Sequence, residues 1–139
     1  TVNAMRDAHA GDIIAMIGPT IRQPSYQVGA EMREEALALM PAALQDQAAS
    51  CFTADGANHF RFDLPALVRH QLQACNVRAI HDCGVDTYGN ADLAGGPDAD
   101  SLPFFSHRRA THDHQPDSGR QISVIRRGSV QSSVSSGHR

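Results

Sequence analysis

The chain has 139 residues, 41% of them apolar, and carries 12 basic against 15 acidic side chains for a net charge of -3. That length suits one domain with a real hydrophobic core and excludes two independently folded catalytic units, while the mild acidity provides no field to gather nucleic acid or an anionic membrane. Every basic residue is Arg and none is Lys, which removes Schiff-base lysine chemistry and the phosphate-loop lysine.

Val2, Met5 and Ala8 recur at helical spacing until Gly11, so residues 1–9 read as the end of a helix. Ile13 to Ile17 is a short continuous apolar run closed by Gly18-Pro19, the pattern of a strand covered on both faces. Thr20 to Gly29 has no clear period and is expected on the surface or lining a site. From Ala30 to about Met40, the residues Met32, Ala36, Leu37, Leu39 and Met40 form an apolar side opposite Glu31, Arg33, Glu34 and Glu35, and the glutamates suit the positive end of a helix dipole. Pro41 to Ser50 is ambiguous, with room for a helical turn or two.

Cys51-Phe52 and His59 to Phe62 predict two strands around the turn Asp55-Gly56-Ala57-Asn58. Asp63 is a good N-cap, Pro65 fits the first turn, and Leu64, Leu67, Val68, Leu72 and Cys75 follow at helical intervals, which makes this the best-defined helix. Asn76 can end it in the left-handed region, and Val77 to Ile80 then reads as a strand returning to a sheet. Residues 89–101 predict a Gly- and Asp-rich loop, Phe104-Phe105 and Gln121 to Ile125 are strand candidates separated by a polar loop from Ala110 to Gly119, and 128–139 reads as a Ser/Gly-rich flexible tail. The domain is therefore expected over 1–127.

No segment has the ~18–20 apolar residues of a membrane span or the charged-then-apolar design of a signal peptide, so a soluble, cytoplasmic protein is expected. Cys51, Cys75 and Cys83 are odd in number and unpaired in spacing, which points to reduced thiols rather than disulfides or structural zinc. Thr1 opens inside a helical pattern, and the chain reads as a piece of something longer.

Three constellations invite chemistry. His112-Asp113-His114 with Asp117 has metal-ligand types, although a solvated loop is the commoner account of two histidines so spaced. Arg108-Arg109, with Arg120 beyond, could fork onto an oxyanion if the guanidinium groups converge on one cleft, against a solvated pair flanking a strand. Asp82, Asp86 and Tyr88 surround Cys83 at a strand end, where sheet active sites often lie and where capping aspartates beside a buried thiol are the plainer reading.

In order along the chain, Ile17-Gly18-Pro19, Pro24-Ser25-Tyr26-Gln27-Val28-Gly29, Phe62-Asp63-Leu64-Pro65, Asp86-Thr87-Tyr88, Phe104-Phe105-Ser106-His107-Arg108-Arg109 and Gly119-Arg120-Gln121-Ile122-Ser123 resemble the C-terminal half of the polyphenol oxidase (laccase-domain) family. The resemblance spans about residues 1–125. It implies an α+β fold of layered mixed sheets and packed helices. It also implies a zinc-dependent enzyme whose substrates are purine nucleoside and phosphate, cleaving nucleosides by phosphorolysis and deaminating adenosine; the alternative within the family is a copper-dependent oxidase of phenols.

Residue by residue, the resemblance implies a pocket-shaping turn at Gly18 and Pro19, substrate or phosphate contacts from Ser106 and Arg109, and a neighbouring wall of Arg120 and Gln121. The family's metal ligands, a His, a Cys and a second His in a His-Ala-Gly-Trp-Arg-Gly motif, belong to an N-terminal half that this chain does not contain, and the chain has no Trp. Asp86 stands where many members have Cys. A non-catalytic remnant or assembly subunit is the competing expectation outside enzymology. With half a layered core elsewhere, exposed apolar strand surface is also expected, together with self-association or pairing with the missing half.

Overall fold

The structure is a computed structural model that describes residues 1–9, 11–89 and 104–116. Among the described residues the chain forms helices α1 (Val2–Asp7), α2 (Ala30–Ala38), α3 (Gln45–Ser50), α4 (Leu64–Ala74) and α5 (His107–His112). The strands are β1 (Ile14–Ile17), β2 (Gln27–Gly29), β3 (Phe52–Ala54), β4 (His59–Phe62) and β5 (Ala79–Asp82). β1 and β5 pair in parallel, whereas β2, β4 and β3 form an antiparallel sheet in that order. The α+β class with mixed sheets expected from the sequence is thus what folds.

The antiparallel sheet supplies most of the core. Phe52 and Phe62 are register partners on β3 and β4, and their rings stack with centroids 4.3 Å apart. Tyr26 approaches the other side of the cluster at 5.5 Å from Phe62. Val28, Ala48, Cys51 and Leu67 complete the buried set, with Met32, Ala36, Leu37 and Met40 of the α2 region packed against it. Leu39 departs from the expected apolar side: it is 79% exposed, because the helix ends at Ala38 and the chain turns before that side chain reaches the core.

The best-defined helix forms as the sequence predicts, and both ends show why. The Asp63 carboxylate accepts the Ala66 N–H at 3.0 Å, and Pro65 occupies the first turn, where no N–H is needed. At the far end Asn76 sits at φ 54°, with its N–H bonded to Gln73 and that of Val77 to Leu72, a Schellman closure. Val77, only 1% exposed, then starts the return toward β5. Asp63→Ala is expected to cost about 1 kcal/mol through the lost cap, read as a lowered urea midpoint with an unchanged slope. In the β3–β4 turn Gly56 lies at φ 90°, a conformation that favours glycine, and Asn58 at φ 60° completes the reversal.

Several expectations are corrected. β1 is not covered on both faces: Ile14 is 66% and Met16 77% exposed, so the side that alternates with Ile17 is bare, in keeping with the exposed apolar strand surface also expected. Thr20 to Gly29, for which the sequence offers no clear period, contains a 3₁₀ turn at Gln23–Ser25 that leads into β2. The ambiguous stretch resolves into a 3₁₀ turn at Ala42–Leu44 and then α3. Phe104-Phe105 is not a strand, and His107–His112 is a helix where a strand flank and a polar loop were expected. The loop beyond Gly89, the strand candidate Gln121 to Ile125 and the tail 128–139 lie outside the described residues.

Candidate functional site

Parallel strands present their carboxyl ends to one side, and there the chains leaving β1 and β5 stay zipped together. Cys83 donates its N–H to Ile17 at 3.0 Å, Thr20 to Val85 at 3.2 Å and Thr87 to Thr20 at 3.1 Å, with Thr20 and Asp86 forming a parallel bridge. Gly18 and Pro19 therefore sit at the root of a double loop. Gly18 is exposed with open space about its α-carbon, so the turn shapes the rim without being forced by a close approach.

Charge pairing stiffens this loop. Arg22 forks onto Asp82, its two terminal nitrogens each meeting one carboxylate oxygen, and its Nε donates to the Val85 carbonyl at 3.3 Å. Both side chains of the pair are only 17% exposed. Arg69, from α4, approaches the same carboxylate at 3.5 Å. The hydrogen bonds from Arg22 hold the Asp82 carboxyl down to about 2 against the opposing effect of burial, helped by the Gly84 N–H and the charges of Arg22 and Arg69. The same carboxylate raises Arg22 above its ordinary value.

Asp86 ties the second strap. One oxygen accepts the Ser25 hydroxyl at 2.5 Å, and the other accepts the Tyr88 N–H at 2.8 Å and that of Arg22 at 3.4 Å. Carboxylate here can accept three donors at once, a capacity a thiol lacks.

Helix α5 closes the rim. Ser106 is buried and its Oγ accepts the Arg109 N–H at 3.3 Å, the role of an N-cap. Arg109 directs one terminal nitrogen to the carbonyls of Thr87, at 2.8 Å, and Tyr88, at 3.2 Å, and the other to that of Phe104, at 2.5 Å. Arg109 is therefore a clamp between the Asp86–Tyr88 loop and the start of α5. At the last turn the Tyr88 hydroxyl meets His112 Nδ1 at 2.8 Å, with the rings edge to face.

The structure brings together the segments of four of the expected site residues, Gly18, Pro19, Ser106 and Arg109; Arg120 and Gln121 lie outside the described residues, as does Asp117. Sequence reasoning does not single out Arg22 and Ser25; the signal for them is that their aperiodic stretch is expected on the surface or lining a site. As to a metal, no three His, Cys, Asp or Glu side chains converge to hold an ion among the described residues. His112 has one ring nitrogen engaged by Tyr88, and His114 follows the helix in a left-handed conformation at φ 53°.

Comparison with known proteins gives two kinds of match. The family model described as multi-copper polyphenol oxidoreductase laccase matches residues 1–128. A purine nucleoside phosphorylase of Rickettsia conorii is 31% identical over 126 residues, covering 89% of this chain and 46% of that protein. A purine nucleoside phosphorylase of Rickettsia prowazekii is 30% identical over 126 residues with the same coverage. The chain thus spans about half the length of these relatives.

Proposed function

The chain belongs to the multi-copper polyphenol oxidoreductase laccase family, and from that premise we propose that it is the C-terminal half of a purine nucleoside phosphorylase that also deaminates adenosine. The observation that carries this reading is the name shared by two relatives that align with 89% of the chain. The rim at the carboxyl ends of β1 and β5 supports it, because ligands of parallel strands bind at that end. In this reading zinc completes the parent site from the N-terminal half; the described side chains do not form a set for it.

Phosphorolysis joins a phosphate oxygen to C1′ of the nucleoside as the C1′–N9 bond breaks, and the departing purine needs a proton at N7. The part of this chain is to hold the rim rigid and to manage that proton. Arg22, Asp82, Asp86 and Ser25 fix the double loop, and Arg109 acts as a positioning residue that sets the height of Tyr88 against α5. His112, with Nδ1 engaged by the Tyr88 hydroxyl, has Nε2 left for delivery of a proton to N7.

The family's description favours a second reading, oxidation of phenols. One assay separates the two. The protein expressed from the full reading frame that encodes this chain is incubated with inosine, with and without phosphate, and in parallel with a phenol under oxygen measurement. Release of hypoxanthine only in the presence of phosphate is expected, and His112→Ala should slow it by about 10²-fold or more if the imidazole is the proton donor. Oxygen uptake with phenol and no base release would replace the proposal with the oxidase reading.

A further inference from the structure

Arg108 and Arg109 are neighbours on α5, and successive helical residues point about 100° apart, so the two guanidinium groups serve different places. Arg109 is committed to main-chain carbonyls. Arg108 instead lines a cavity of about 430 Å3 shared with Tyr26, Gln27, Met32 and His59, on the β2–β4 side of the molecule. That volume falls within the ~300–1,000 Å3 usual for small-molecule sites.

The Arg108 Nε is buried and makes no hydrogen bond. Among the described residues one other buried Nε shares that state, that of Arg33, whose charge lies over the Phe60 ring at 5.0 Å. Arg108 forms no ion pair, hydrogen bond or ring contact with the other described residues. A buried guanidinium N–H without an acceptor is unfavourable, and an oxyanion is an acceptor whose geometry matches the fork that the half-buried Arg108 presents.

The rest of the cavity agrees with that charge. His59 has Nδ1 engaged with the Ala57 carbonyl at 2.9 Å, which leaves Nε2 available, and in the protonated form both nitrogens donate. The nearby Asp55 carboxylate does not oppose an anion, since it is already held by Arg61 at 2.6 Å and by the Gln27 amide at 2.8 Å. Met32, Val28 and the Tyr26 ring supply apolar wall for an organic portion. Inorganic phosphate alone would leave that wall unused.

We infer that this cavity is a binding site for a small phosphate monoester, with Arg108 as the principal anion contact and His59 as a second. The site is separate from the rim at the ends of β1 and β5, and binding there is measured without turnover, so its failure and that of the phosphorolysis reading are distinguishable.

The experiment is isothermal titration of the full chain with AMP, with inorganic phosphate and with adenosine. AMP is expected to bind at least tenfold more tightly than either of the others. Arg108→Ala should weaken AMP by tenfold or more, Arg108→Lys by less, and His59→Ala by a few-fold. Circular dichroism melting of Arg108→Ala should be no lower than wild type, since among the described residues the side chain makes no hydrogen bond or ion pair to lose and its buried Nε has no partner. Equal AMP affinity in wild type and Arg108→Ala would overturn the assignment, as would the absence of saturable AMP binding to the folded chain. Binding of inorganic phosphate as tight as that of AMP would overturn the monoester as ligand class.

Discussion

Phe62→Ala should remove about 3–5 kcal/mol, the usual loss for truncating a buried aromatic, and that is comparable to much of a small domain's whole stability. Phe62 is 2% exposed and stands where three elements meet. Its ring stacks on Phe52 of β3 at 4.3 Å, the Tyr26 ring lies 5.5 Å away, and its N–H donates to the Tyr26 carbonyl at 2.9 Å. Alanine keeps the main-chain bond and empties the space between the hairpin and the approach to β2. The surrounding rings come from short strands that cannot collapse far into the gap, so most of the cavity term should remain. Urea denaturation followed by circular dichroism is expected to show either no cooperative transition or a midpoint far below wild type. A shift of less than ~1 kcal/mol would mean that the antiparallel sheet does not hold the core together.

Asp82→Asn should cost about 2–4 kcal/mol, because it leaves Arg22 and Arg69 facing one another without the carboxylate that neutralises them. Its signature is the pH dependence. In the folded chain Asp82 titrates at about 2, below the ~3.9 of an unfolded aspartate. A carboxyl so depressed stabilises the fold above the unfolded value, and that contribution, of the order of 2–3 kcal/mol, is lost as pH falls from about 4 through about 2. Wild type should therefore lose stability across that window, whereas Asp82→Asn should lose less there. Denaturation curves collected from pH 7 down to pH 2 measure the difference. Parallel acid profiles for the two proteins would show that the fork between Arg22 and Asp82 carries no net stability.

Much of the antiparallel half was legible from local sequence. Asp63, Pro65 and the apolar intervals from Leu64 to Leu72 describe α4 with both its ends, since capping and periodicity act within a few residues. The turn of Gly56 and Asn58 announced the β3–β4 hairpin in the same way. The ordered motifs from Ile17-Gly18-Pro19 to Gly119-Arg120-Gln121 carried the family, and the match over residues 1–128 bears that out.

What the sequence did not disclose depends on partners distant along the chain. Helix α5 has no apolar period; Ser106 caps it, Ala110 is its only buried residue, and Arg109 ties it to carbonyls of Thr87 and Tyr88, so a local reading saw a strand flank and a loop. β2 is three residues long and exists through its register with β4. Arg22 and Asp82 are 60 positions apart, and nothing in either neighbourhood names the other. Arg108 and Arg109, indistinguishable as neighbours in sequence, are separated only by the turn of the helix.

By itself, then, the sequence determined the α+β class, the helix α4, the β3–β4 hairpin and the family, because short-range propensity and ordered motifs are written in adjacent residues. Only the tertiary structure decided that Arg109 is a clamp while Arg108 lines a cavity, that Asp82 is held by two arginines, and that one side of β1 is bare. Charge pairing, burial and the direction of a side chain depend on which segments come together, and that is settled by packing rather than by any local run of residues.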